Sequence, residues 1–301
     1  MKPNIRVKTV MWRDFVSANF LFARMPYISK RYNFIEDNNA PYVMYYHAAK
    51  PRDLPKGAVR ISIPLENKFP NMKTCNWAMS VKYDDQINDK RHMRLPTYAR
   101  LGAGRNLIKG PGYDAKKILE RKTKFCAFIY WNEGVKFRRN FFNELSKYKK
   151  VDAPGRACNN MPTISGHKNW KQIHEHVHSK NVHNAYKEKV EFLRQYKFCI
   201  SFANESSTGY TSEKIYHSML ANCIPIYWGN PLVHRDFNNN SFMNYHNHNS
   251  IGALIDQIIA LDKDDDLYLK YLRQPWLPGN KLTPWLKPET YINRFREIFG
   301  K

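Results

Sequence analysis

Tyr196–Trp228 reads YKFCISFANESSTGYTSEKIYHSMLANCIPIYW. Its pattern predicts a strand, a loop, a helix and a second strand. Phe198–Phe202 is a short apolar run suited to a buried parallel strand. Asn204–Gly209 is polar and closes on a glycine, which marks a loop. Thr211 or Ser212 can N-cap a helix whose first turn carries Glu213 and Lys214. Ile215, Met219 and Leu220 give that helix one apolar side, and Asn222 is a reasonable stop. Ile224–Trp228 then returns as a strand, with Pro225 confined to its start or to a sheet edge because proline cannot donate to the ladder.

Such a βαβ unit places its loop at the carboxyl ends of the strands, where open α/β sheets bind ligands. The free N–H groups and partial positive charge of a helix N-terminus suit phosphate there, and Lys214 adds a full charge. The Glu213 carboxylate is a good acceptor for sugar hydroxyls. These residues together suggest a nucleotide that carries a sugar. The alternative is an ordinary capped helix with a solvated Glu–Lys pair.

Three phrases, YKFCISFAN, GYTSEKI and IPIYWGNPLVHRDFNNNSF, stand in order in this region. They resemble the donor-binding region of the α-1,3/1,4-fucosyltransferases, glycosyltransferase family 10, from about Phe192 to Asn244. The resemblance implies an α/β protein of GT-B-like architecture, two Rossmann-like domains facing a central cleft. It implies GDP-fucose as donor, with Asn204, Tyr210, Thr211, Ser212, Glu213 and Lys214 at the donor site. The family's phrase is usually Phe-Glu-Asn where this chain has Phe202-Ala203-Asn204, which removes one polar contact.

A chain of 301 residues makes one large or two medium domains. A hydrophobic content of 43% and an aromatic content of 14% suffice for packed cores and exclude a disordered polycation. No run of eighteen apolar residues and no signal-like apolar core after Met1-Lys2-Pro3 are present. The five cysteines are odd in number and scattered, which points to free thiols in a reducing compartment. The chain thus looks like the bacterial type of the family, cytoplasmic, with peripheral contact on the inner face of the cell membrane as an option. The 49 Lys and Arg against 26 Asp and Glu leave a net charge of +23. That field favours polyanions. The basic residues are spread along the whole chain and form no nucleic-acid-binding phrase, so an anionic membrane or glycolipid fits at least as well as nucleic acid.

The N-terminal part alternates strands (Arg6–Met11, Tyr32–Ile35, Tyr42–Tyr46, Ala58–Ile63) with a helix expected around Ser17–Lys30. Glu66 stands just past the last of these strands, where a carboxylate can serve as general base or simply face solvent. The resemblance extends here: Glu66-Asn67, Pro70-Asn71 and Trp77-Ala78 match short phrases of the bacterial fucosyltransferases, whose Glu is regarded as the base that deprotonates the acceptor hydroxyl. The family often has Gly before this Glu, and this chain has Leu65. Arg91–Pro96 resembles a basic phrase that closes the first domain's sheet, and Arg94 reads as structural.

Asn106–Lys124 is polar, basic and holds Gly110-Pro111-Gly112, which predicts a linker. Phe125–Trp131 is then expected as a strand, followed by a loop and a helix with Phe141, Leu145 and Tyr148 on one side. Arginines at the start of that helix suit bidentate grip on a diphosphate. By resemblance Arg138 is the donor-phosphate arginine, Asn132 ends the strand as the family's Asn does, and Arg156 and Lys189 are further donor contacts. His174–His178 satisfies the H-E-x-x-H pattern of zinc proteases, but its third histidine is missing and the segment has almost no apolar residue to hold it in a core. No Asp-X-Asp phrase stands beside the phosphate residues, so no obligatory metal cofactor is expected.

The domain organisation that follows is residues 1–115 as an acceptor-binding α/β domain, 120–285 as a GDP-fucose-binding Rossmann-like domain, and 286–301 as a helix crossing back to the first. The function implied is inverting transfer of L-fucose from GDP-β-L-fucose to an oligosaccharide or glycolipid acceptor, O3 of GlcNAc in an N-acetyllactosamine unit, giving an α-1,3 or α-1,4 linkage. The alternatives are a GT-B enzyme using another nucleotide sugar and a polyanion-binding protein on the same fold.

Overall fold

Two parallel sheets organise the chain. The computed structural model describes residues 2–11, 17–23, 25–64, 66–101, 104–164 and 179–300; the zinc-protease-like stretch and Leu65 lie outside them. The described chain falls into two compact units. The first comprises residues 1–104, 208–211 and 282–301, and the second residues 105–207 and 212–281.

The first unit carries a six-stranded parallel sheet in the order β2-β1-β3-β4-β5-β6. Its strands are β1 (Asn4–Val10), β2 (Asn33–Glu36), β3 (Tyr42–Tyr45), β4 (Val59–Ser62), β5 (Trp77–Ser80) and β6 (His92–Arg94). Parallel neighbours normally need a long crossover. Here β2 pairs with the first half of β1, up to Val7↔Glu36, and β3 with the second half, from Val7↔Tyr42. The short link from Asp37 to Pro41 therefore suffices. The single helix expected around Ser17–Lys30 is two helices instead, α1 (Ala18–Phe22) and α2 (Pro26–Ser29). Ser17 caps the first, and Pro26 supplies the first helical residue of the second. Proline has no N–H for a continuing helix and keeps the residue before it out of the α region, which forces the break; Met25 sits at φ −99°, ψ 83°.

The last helix, Pro288–Phe299, belongs to this unit and buries Tyr291, Ile292, Phe295, Ile298 and Phe299. Phe295 meets Phe22 edge-on at 5.0 Å and Phe299 meets Tyr42 at 4.9 Å. Burial of each such side chain contributes about 1.5–3 kcal/mol. Arg294 on the same helix donates to the carbonyls of Lys90 and His92, which ties it to the edge strand β6.

The second unit carries a five-stranded parallel sheet in the order β11-β10-β9-β7-β8. Its strands are β7 (Lys124–Ala127), β8 (Val151–Asp152), β9 (Tyr196–Phe202), β10 (Ile224–Trp228) and β11 (Met243–Asn244). Pro225 sits second in β10, outside the stretch of β10 that pairs with β11. Its helices are α4 (Ala115–Glu120), after the short α3 (Asp84–Ile87) of the first unit, then α5 (Lys136–Ser146), α6 (Ser179–Leu193), α7 (Glu213–Leu220), α8 (Ile251–Lys263) and α9 (Asp265–Arg273). All five cysteines are free thiols.

Two expectations for this unit need correction. The strand expected over Phe125–Trp131 ends at Ala127. Beyond it Phe128 N–H still reaches the Asp152 carbonyl, but the Tyr130 side chain turns under β9. Its phenol donates to the Ile200 carbonyl at 2.7 Å and accepts from the Phe202 N–H at 2.7 Å. Gly155 lies against the Tyr130 backbone, where a Cβ would stand 2.4 Å from the Tyr130 carbonyl oxygen. The linker expected over Asn106–Lys124 is packed into the second unit and carries α4. Lys109 lies in this stretch. In the fold its ammonium donates to the Leu272 and Gln274 carbonyls and lies 3.8 Å from the Trp276 ring. Its backbone N–H and carbonyl pair with the Asn280 side chain at 3.0 and 2.8 Å. The chain is thereby clasped just inside the points where it enters and leaves the unit.

Candidate functional site

In the second unit β8 lies on one side of β7 and β9 on the other. The connections that leave β7 and β9 therefore diverge between two neighbouring strands, the place where open parallel sheets form a ligand crevice. Arg138, in the first turn of α5, is 1% exposed. A guanidinium is buried only when its donors and its faces are occupied. Here it stacks 3.9 Å from the Tyr130 ring, donates to the Asn132 carbonyl at 2.7 Å and to Asn204 Oδ1 at 3.3 Å. Asn132 follows β7 and Asn204 follows β9, so Arg138 ties the two diverging loops together. A pocket of about 220 Å³ opens beside it, lined among others by Phe128, Asn132, Arg139 and Cys158.

Helix α7 starts at the same end of the sheet. Ser212 is its N-cap residue, with φ −82° and ψ 172°. The side-chain cap expected from Thr211 or Ser212 does not form: the Ser212 hydroxyl is buried and has no hydrogen-bond partner among the described residues. Thr211 is fully buried and is grouped with the first unit. Ile215, Tyr216 and Met219 anchor α7 in the core. That leaves Glu213 and Lys214, 3.2 Å apart, on the side that keeps some exposure (22% and 17% of their side chains). Lys214 Nζ stands 5.7 Å from the Tyr130 ring. Two cations, Arg138 and Lys214, thus share one aromatic ring.

Lys189 on α6 is buried, and desolvation holds its ammonium below the usual lysine range although Glu213 opposes that. Burial works against ionisation of Glu213 as well, yet Lys214, Lys189 and His217 together hold its carboxyl well below the usual range. A carboxyl depressed in the folded state stabilises the fold at pH above its unfolded value, about 4.3, and loses that contribution as pH falls through the folded value. Wild-type melting temperature is expected to fall more steeply than that of Glu213→Gln as pH drops from about 5 toward 2.5. Parallel curves for the two proteins over that window would remove the charge coupling.

The other donor-site expectations separate. Asn132, Arg138, Asn204, Glu213, Lys214 and Lys189 are brought together through Tyr130 and the Glu213 charge cluster. Arg156 is exposed, ion-paired to Glu133 at 2.9 Å and 5.5 Å from the Trp131 ring. Tyr210 is grouped with the first unit, where its hydroxyl donates to Glu66 Oε2 at 3.0 Å. Glu66 itself lies exposed in the loop after β4. Its neighbour Asn67 accepts from the Lys82 ammonium at 2.5 Å. Arg94 is buried between the rings of Tyr83 (3.9 Å) and Trp285 (4.2 Å) and donates to the Gly209 carbonyl, in keeping with a structural role. Sequence reasoning missed Tyr130 and Lys82. Tyr130 stands two residues before Asn132 at the end of an apolar run, and that aromatic was the available signal. Among the described residues no group of three or more His, Cys, Asp or Glu is placed to hold a metal ion.

A family model described as glycosyltransferase family 10 (fucosyltransferase), C-terminal part, matches residues 119–287. An alpha-(1,3)-fucosyltransferase of Helicobacter pylori is 33% identical over 247 residues, covering 72% of this chain and 47% of that protein. The chain spans half or less of the length of the curated relatives it matches. A crystal structure of an alpha1,3-fucosyltransferase shares the fold, with a TM-score of 0.77 and 22% identity, covering all of this chain and 91% of that one. A second, described as holding GDP-fucose, gives 0.74 at 22% identity, covering all of this chain and 92% of that one.

Proposed function

The chain belongs to glycosyltransferase family 10, the fucosyltransferases, and on that premise we propose that it moves L-fucose from GDP-β-L-fucose to a sugar hydroxyl with inversion at the anomeric carbon. The observation that carries this reading is the pair of cations, Arg138 and Lys214, over the Tyr130 ring at the β7/β9 crevice. A guanidinium grips diphosphate oxygens in a fork, an ammonium adds a point charge, and the start of α7 adds backbone N–H groups. Together they stabilise the negative charge that develops on GDP as the C1–O bond breaks. The Glu213 carboxylate, held ionised by its neighbours, is an acceptor for ribose hydroxyls.

Glu66 accepts the proton of the acceptor hydroxyl as that oxygen bonds to C1 from the face opposite GDP. One displacement turns the β-linked donor into an α-linked product. The linkage proposed is α-1,3, to O3 of GlcNAc in an N-acetyllactosamine-type acceptor, after the linkage in the names of the relatives. Five free thiols support a reducing, cytoplasmic setting.

The test is GDP release from a panel of GDP-fucose, GDP-mannose and UDP-sugars, with and without N-acetyllactosamine and with EDTA. Release from GDP-fucose alone, dependent on acceptor and indifferent to EDTA, with an α-1,3 product by NMR, is expected. Turnover of another sugar nucleotide would replace the donor, and salt-steep DNA binding without any turnover would replace the enzyme.

A further inference from the structure

We propose that Tyr210 is a positioning residue for Glu66: its phenol fixes one carboxylate oxygen and leaves the other to the acceptor hydroxyl. This rests on the reading of Glu66 as the base. Tyr210 is 5% exposed, Glu66 is exposed, and the Tyr210 hydroxyl donates to Glu66 Oε2 at 3.0 Å. Among the described residues no other side chain or backbone group hydrogen-bonds the Glu66 carboxylate. A carboxylate on an exposed loop samples several rotamers, and general base catalysis needs it within about 3 Å of the proton it takes. The phenol removes that freedom. Because it is a neutral donor, it orients the carboxylate without forming the ion pair that a lysine or arginine there would impose.

The tyrosine is itself held by more than its own contact. Thr208–Thr211 is grouped with the first unit although its flanking residues are grouped with the second. Arg94 donates to the Gly209 carbonyl at 3.1 Å and to the Val81 carbonyl at 3.2 Å. Lys82 donates to the Thr208 carbonyl at 3.4 Å, and Thr211 N–H returns to the Gly209 carbonyl at 3.0 Å. Gly209 lies at φ +86°, and a Cβ there would stand 2.8 Å from Gln86 Oε1 and 3.0 Å from the Lys82 Cα. Only glycine lets the loop approach this backbone so closely. Buried Lys82 and Arg94 therefore act on Glu66 through the backbone on the N-terminal side of Tyr210.

The test is a double-mutant cycle of Tyr210→Phe and Glu66→Gln, read as kcat, KM for the acceptor, Kd for GDP and melting temperature. Phenylalanine keeps the ring and removes only the hydroxyl, so folding is preserved and the melting temperature verifies it. In the wild-type background Tyr210→Phe is expected to lower kcat about tenfold, as a small misplacement of a reacting group does. Kd for GDP is expected to stay within about twofold. In the Glu66→Gln background, followed by long end-point assays, the same change should alter the residual rate by less than about twofold, because its effect runs through the carboxylate. Equal losses in both backgrounds, full activity of Tyr210→Phe, or a tenfold weaker Kd with kcat intact would each overturn the proposal, the last by making Tyr210 a donor contact. Full activity of Glu66→Gln would remove the base and this proposal with it, and only that outcome touches both.

Discussion

Glu66→Gln is expected to cut acceptor-dependent release of GDP from GDP-fucose by about 10²–10⁴-fold, the usual contribution of a positioned general base. Glutamine keeps the size of the side chain and can still accept from the Tyr210 hydroxyl, so the loop after β4 should stay in place. What it cannot do is take a proton. The proposed donor residues Arg138, Glu213 and Lys214 stand on other elements, so Kd for GDP should be unchanged within about twofold. Stopped assays of GDP release with and without N-acetyllactosamine, beside calorimetric titration with GDP, separate the two effects. Retained turnover in the variant would show that the proton leaves by another route.

The second large effect is expected at Arg138. Arg138→Ala removes a buried guanidinium and leaves the Asn132 carbonyl and Asn204 Oδ1 without their donor. Losing hydrogen bonds from a charged donor costs about 1.5–3 kcal/mol each, so a clear fall in melting temperature should accompany the loss. GDP affinity should drop about 100-fold, since both a fork of donors and a charge disappear. Arg138→Lys is the sharper variant. It restores the charge but cannot serve two protein acceptors and a phosphate at once, so affinity should recover only in part. Unchanged GDP binding in either variant would make Arg138 a purely structural residue, as Arg94 is in the first unit.

The strand–loop–helix–strand of residues 196–228 was legible because its signals are local: an apolar run, a polar loop, a charged first turn and an asparagine stop. Asn222 does take the left-handed conformation, at φ +52°, that such a stop requires. Tyr130 was not legible as a platform, since its role depends on a phenol reaching two backbone groups of β9 some seventy residues away. Asn106–Lys124 reads as a linker for a related reason. A lysine in a polar, glycine-containing stretch reads as solvated, and only the fold supplies the carbonyls and indole that enclose it. Tyr210 was placed at the donor site by its neighbours in sequence, and its hydrogen bond to Glu66, 144 residues away, had no local signal.

The clasp of Lys109 on Asn280 has a consequence for recombination. Residues 105 and 281 mark where the chain passes from one unit to the other and back, and the contacts just inside them hold the two ends of the second unit together. A segment whose ends meet can be excised and replaced by a homologous one as a cassette. Yet the cassette would carry Thr208–Thr211 with it, and with them the tyrosine that hydrogen-bonds Glu66 of the first unit. Chimeras that graft the second unit of one family member onto the first unit of another would therefore succeed or fail on the match of this loop to the host's counterparts of Lys82 and Arg94. The two halves are separable as pieces of chain and inherited as a pair.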